Sequence, residues 1–154
     1  MNWLKIWWPA IVWAIVISLF STHAFTAENT SRFIVPMLHW LFPHASPHRI
    51  LRMHYLIRKV GHFTEYFILS LLILRGIRAG RHETHVTWAV MAVLLVAGYA
   101  ALDEFHQRFV PGRTPAVHDV VIDTAGGLAA QLVAGFVFLW IGARPPRKRP
   151  DGES

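Results

Sequence analysis

Lys59, His62, Glu65 and Tyr66 form one compact group of polar residues in this chain. Asp103, Glu104, His106 and Gln107 form a second, and Arg113, Asp119 and Asp123 follow the dipeptide Pro111-Gly112 as a third. Their types suit three kinds of chemistry. Glu104, His106 and Asp119 can accept or donate a proton and are the candidate catalytic groups. Arg113 offers a planar fork matched to phosphate or carboxylate, and the helix start expected after the Pro-Gly turn presents backbone N–H groups to an anion. The five carboxylates of Glu65, Asp103, Glu104, Asp119 and Asp123, with His62, are hard donors of the kind that hold a divalent ion. Each group stands at the end of a long apolar run, where an ionisable side chain is costly and is a functional candidate by default.

Helical spacing organises these residues further. Lys59, His62 and Tyr66 are three and four residues apart and share one face, with Glu65 at its edge. Asp103 has the same relation to His106 or Gln107, and Asp119 and Asp123 are one turn apart. Glu65 falls about a turn inside an apolar helix. It is expected to point into a bundle and to pair with Lys59, Arg113 or a histidine.

The elements that must carry these groups are membrane helices. Of the 154 residues, 54% are hydrophobic and 16% charged, against roughly a quarter charged in soluble domains. Mean hydropathy is +0.37, and the apolar residues come in blocks. Four blocks are long enough to cross a bilayer as helices: Trp3 to Phe20, about His62 to Ile77, Thr87 to Leu102, and Val120 to Ile141. They are too long and too continuously apolar for barrel strands. The fold class is therefore all-α, a polytopic bundle of four transmembrane helices. In the first connection, Phe33 to Phe42 is apolar but too short to span, and Pro36, Pro43 and Pro47 break it up. It reads as an interfacial or re-entrant helix. Pro47 to Arg58 is expected to wind straight into the second span. Residues 1–143 make one transmembrane domain, and 144–154 a disordered basic tail. The first apolar run, with its tryptophans and no clear cleavage site, reads as an anchor rather than a signal peptide.

The net charge of +6 belongs to arginines and lysines beside apolar segments, where topology and anionic lipid explain it and nucleic acid does not. Four spans place Lys5, Arg75, Arg78, Arg81 and the 144–149 cluster on one side, and the other seven basic residues opposite. The crowding of Arg75, Arg78 and Arg81 in one short loop puts both termini in the cytoplasm, in a bacterial-type inner membrane. The start of span two, the end of span three and the start of span four then share the outer face, so the three polar groups converge there. The chain has no cysteine, which excludes disulfides and leaves the redox compartment open.

Three stretches resemble the VanZ-like family of integral membrane proteins: Lys59-Val-Gly-His62-Phe63-Thr-Glu65-Tyr66, then Asp103-Glu104-Phe-His106-Gln107-Arg-Phe109-Val110-Pro111-Gly112-Arg113, then Asp119-Val-Val-Ile-Asp123-Thr124-Ala-Gly126-Gly127. The order and spacing match over roughly residues 21–133. Members often carry asparagine where this chain has Asp123, which adds a negative charge here. The resemblance implies four membrane helices. It also implies a link to resistance against glycopeptide antibiotics such as teicoplanin, without an established reaction.

Residues and resemblance together favour a binder of an anionic envelope lipid or headgroup. The ligand would be held by Lys59, His62, Glu65, Tyr66, Asp103, Glu104, Gln107, Arg113, Asp119 and Asp123. The alternative is a membrane-embedded hydrolase or transferase acting on a phosphorylated lipid, with His106 or His118 as the proton carrier. No metal ligands are assigned and no cofactor is identified. A divalent ion is the less favoured reading because Lys59 and Arg113 can neutralise the same carboxylates. A purely structural role, as a polar network locking the helices, weighs about evenly with function for Lys59, Glu65 and Asp103.

Overall fold

A computed structural model describes residues 3–81, 85–112 and 116–142. Within them the chain forms five α-helices and one 3-10 turn. These are α1 (Trp3–Phe20), the 3-10 turn (His23–Phe25), α2 (Ala27–Leu41), α3 (Pro47–Arg78), α4 (Val86–Gln107) and α5 (Val117–Gly142). Among the described residues four helices, α1, α3, α4 and α5, are long and apolar enough to cross a bilayer. Arg113 and the basic segment 144–154 lie outside the described residues.

Local chemistry sets the helix ends. Thr26 caps α2 by accepting a hydrogen bond from the Asn29 N–H at 3.3 Å. Ser46 does the same for α3 from the Arg49 N–H at 3.4 Å, with Pro47 at the first helical position, where its missing N–H costs nothing. At the far end of α3 the chain turns through left-handed Ala79 and Gly80.

Two boundaries differ from the sequence expectation. Pro36 lies inside α2 rather than breaking it. One proline removes a single hydrogen bond, and the capped start and apolar residues on either side carry the helix through. The third span continues past Leu102 to Gln107, so the helical relation expected of Asp103 and Gln107 lies within the span itself, and Asp103, Glu104 and Gln107 are buried.

The bundle is apolar outside and holds its polar groups inside, as lipid surroundings require. Leu94, Leu102, Leu132, Phe136 and Leu139 are exposed, while Asp103, Glu104, Gln107, Asp123 and Gln131 are buried. The core cluster brings together Ala10 and Ile17 of α1, Tyr66, Leu69, Ile73 and Leu74 of α3, and Ala92, Val96 and Ala100 of α4. The largest interface is α3 on α5. Gly126 makes it possible: a Cβ there would stand 2.3 Å from the Phe63 carbonyl oxygen, so only glycine lets the two backbones approach this closely. α1 rests on α3, with the Trp7 ring over Gly76, the Trp13 indole N–H donating to the Glu65 carbonyl at 2.9 Å, and Arg75 donating to the Ile6 carbonyl at 2.8 Å. Deeper in the bundle, Gln131 of α5 donates to the Ser70 hydroxyl at 2.7 Å, which donates in turn to the Gly127 carbonyl at 2.9 Å.

Candidate functional site

The close approach at Gly126 fixes the spacing of a polar seam one to two turns away. Lys59 of α3 is ion-paired with Asp119 of α5. One turn on, His62 Nδ1 faces Asp123 Oδ1 at 3.4 Å. The one-turn spacing within each helix puts the two contacts in register. Asp123 is nearly fully buried, and among the described residues neither its Oδ1 nor His62 Nδ1 has a hydrogen-bond partner, so the facing imidazole offsets the buried carboxylate by proximity alone. Lys59 is therefore engaged by Asp119, which leaves a histidine or Arg113, the latter outside the described residues, among the partners expected for Glu65. Glu65 borders a cavity with Arg58 and His62.

A second network centres on Asp103 of α4. Its Oδ2 accepts from the Ser21 hydroxyl at 2.6 Å, the Gln107 amide at 2.9 Å and the Tyr66 hydroxyl at 3.4 Å. A buried carboxylate with this many donors is well compensated. Of the two helical neighbours open to Asp103 on sequence grounds, Gln107 is the partner, and His106 is exposed.

Glu104 does something the sequence did not reveal. Its carboxylate accepts from the backbone N–H of Ala116, directly before α5. It thus caps the helix from α4 and meets the positive end of the helix dipole. Asp119 occupies the same first turn. The anion-binding capacity expected at this helix start is thus partly taken up by the protein's own carboxylates.

Residues outside the three sequence groups join the site. Arg58 donates to the Phe25 carbonyl at 3.0 Å and the Thr30 hydroxyl at 3.1 Å, which ties α2 and the 3-10 turn to α3. The Tyr55 hydroxyl lies 3.2 Å from His118 Nε2, and His118 Nδ1 lies 3.4 Å from Asp119 Oδ1. Arg58 stands beside Lys59 at the head of the first polar stretch, whereas Ser21 and Tyr55 are not among the expected site residues. For Ser21 the available signal is a hydroxyl at the end of an apolar run; for Tyr55 it is the four-residue spacing to Lys59, which puts both on one helix face.

Between α2, α3, α4 and α5 these groups leave a polar cleft of about 180 Å³, lined by Tyr55, Arg58, Lys59, His62, Gln107 and Asp119. Gly112 stands at its rim with φ 78°, a left-handed conformation suited to glycine. Among the described residues no three His, Asp or Glu side chains converge in a way that could hold a metal ion. The carboxylates face Lys59, His62 and backbone or side-chain donors rather than one another.

The VanZ/LLP1 family model matches residues 6–139. The chain belongs to the VanZ/LLP1 family. The match runs from within α1 to within α5 and takes in every residue of the polar seam, so the seam lies within the family's common region of the molecule. No curated protein and no solved structure matches the chain.

Proposed function

We propose that this VanZ/LLP1 protein binds the anionic headgroup of an envelope lipid in the cleft between α2, α3, α4 and α5. The cleft carries the reading: it joins Arg58 and Lys59 to the neutral donors of Tyr55 and Gln107 at the ends of spanning helices. A phosphate needs that combination of charge and directional donors, and a bilayer supplies phosphates at that level. The proposal includes Arg113, the cation that directly follows the rim glycine in the chain. In this reading both termini are cytoplasmic, the cleft opens at the outer face of the inner membrane, and α2 lies in the interface with Phe33 and Trp40 toward lipid. Native mass spectrometry from mixed nanodiscs tests it. Phosphatidylglycerol should be retained over phosphatidylcholine, and Lys59→Gln and Arg113→Ala should lose the preference. Equal retention of both lipids by the unaltered protein refutes the reading. Altered teicoplanin susceptibility on expression is the matching envelope phenotype.

One observation favours the second reading, a hydrolase or transferase acting on a phosphorylated lipid. Tyr55, His118 and Asp119 form a chain in which a carboxylate orients an imidazole and the imidazole faces a hydroxyl at the cleft wall. His118 is then the proton acceptor and Asp119 its positioning partner. Turnover of polyprenyl phosphate that vanishes in His118→Ala while lipid retention persists supports catalysis. No product from a broad panel of phosphorylated lipids, with and without Mg²⁺, rejects it.

A further inference from the structure

The headgroup cleft has a neighbour. A second cavity, about 220 Å³, lies on the other side of α3, toward α1 and α2. Arg58 and His62 line both spaces. The character changes across them. The wall facing α3 carries Phe20, Phe25 and Ile34 with the hydroxyls of Ser21 and Thr30, and Ile57 adds an apolar side chain beside Arg58 on α3 itself. Phe20, Phe25 and Ile57 expose about two fifths of their surface to the cavity and to the surroundings. Along α3 the cavity runs from Arg58 past Gly61 to Glu65, a rise of about 10 Å. That length matches several methylenes of an extended chain.

We infer that this second cavity is the slot for an acyl chain of the same lipid whose headgroup occupies the polar cleft, so that the ligand is a phosphate-bearing lipid straddling α3 at Arg58 and His62. The inference rests on the headgroup reading above. The lining orders the ligand. Tyr55, Lys59 and Gln107 line only the polar cleft, and Phe20, Phe25, Ile34 and Ile57 line only the slot, so the phosphate belongs on the Lys59–Gln107 side and the chain on the Phe20–Ile57 side. A chain gains little hydrophobic free energy by leaving bilayer for a protein groove, since lipid tails are as apolar as leucine. The slot therefore selects by shape and by its attachment to the headgroup site, and a neutral lipid with the same tail has no reason to enter it.

Gly61 gives a clean test. It lines the slot, and a Cβ placed on it would have nothing within 4 Å. Gly61→Leu thus grows a side chain into the slot without a clash at the backbone, leaving Lys59 and Asp119 untouched. The protein is placed in phosphatidylcholine nanodiscs doped with phosphatidic acid bearing a diazirine in its tail. Crosslinked residues are mapped by mass spectrometry, with the matching diazirine diacylglycerol as control. Binding of glycerol 3-phosphate is measured in parallel as the headgroup alone. The expected result is phosphatidic acid crosslinking concentrated at Phe20, Phe25 and Ile57, absent with diacylglycerol, lost in Gly61→Leu, and accompanied by unchanged glycerol 3-phosphate binding in that variant. Crosslinks spread evenly over the outer faces of α4 and α5, or unchanged in Gly61→Leu while glycerol 3-phosphate still binds, overturn the slot and leave the headgroup site standing. Failure of the unaltered protein to bind either phosphate probe overturns both.

Discussion

Replacing Gly126 with alanine should separate α3 from α5 and disturb the polar seam without touching any polar residue. The added Cβ would meet the Phe63 carbonyl oxygen at 2.3 Å, its carbon at 3.1 Å and Phe63 Cα at 3.2 Å. Ordinary contact begins near 3.4 Å, so the backbones must part by about 1 Å, and no side-chain rotation relieves a clash with backbone. Overpacking of this kind costs about 1–3 kcal/mol, and contact with rigid backbone puts it near the upper end. Alanine is better in a helix than glycine by about 1 kcal/mol. The net loss is then about 2 kcal/mol, or roughly a thirtyfold shift toward the unfolded bundle. The facing His62 and Asp123, already 3.4 Å apart, would move out of range of each other. Reversible unfolding in mixed micelles, followed by tryptophan fluorescence, reads the stability. Gly61→Ala on α3 is the control, because its Cβ meets nothing, and it should be neutral or stabilising. The reasoning fails if Gly126→Ala is as stable as the parent, or if Gly61→Ala is as damaging.

Other outcomes follow from the same geometry. Lys59→Met and Asp119→Leu should each destabilise by leaving one partner of a largely buried ion pair uncompensated, whereas the double variant should recover most of the loss; a double-mutant cycle showing simple additivity would contradict the pairing. Glu104→Ala should unfasten the start of α5 by about 1 kcal/mol and speed hydrogen exchange of the amides from Ala116 to Val120, while Glu104→Gln, which keeps an acceptor oxygen, should retain most of the protection. The chain lacks cysteine, so single cysteines can be introduced on a silent background. Cysteine at Ser31 in α2 should react with a membrane-impermeant maleimide in intact cells, and cysteine at Gly80 should not; the reverse pattern inverts the orientation.

Much of this arrangement was legible before any coordinates. The spans follow from apolar run length alone, and α1 begins and ends where composition places it. The seam was partly legible too: Lys59 with His62, and Asp119 with Asp123, carry nearly the same spacing, so two facing helices would align them. The partners were less accessible. A helical face admits several neighbours, and spacing cannot rank Glu65 against Asp119 for Lys59. The Gly126 contact decides it by bringing α5, rather than another turn of α3, against the lysine. The contribution of α1 was hidden for another reason. Ser21 follows an apolar run as an ordinary polar residue, and only the packing of α1 brings its hydroxyl to Asp103. The capping of α5 by Glu104 was also invisible, because an interhelical cap leaves no local motif.

α3 is held at two levels. Its cations Lys59 and Arg75 are both anchored, one to Asp119 of α5 and one to the Ile6 carbonyl of α1. Sixteen residues of helix separate them, about 24 Å of rise. Sliding α3 along its axis would break both anchors at once, so the helix is locked in register with a different neighbour at each end.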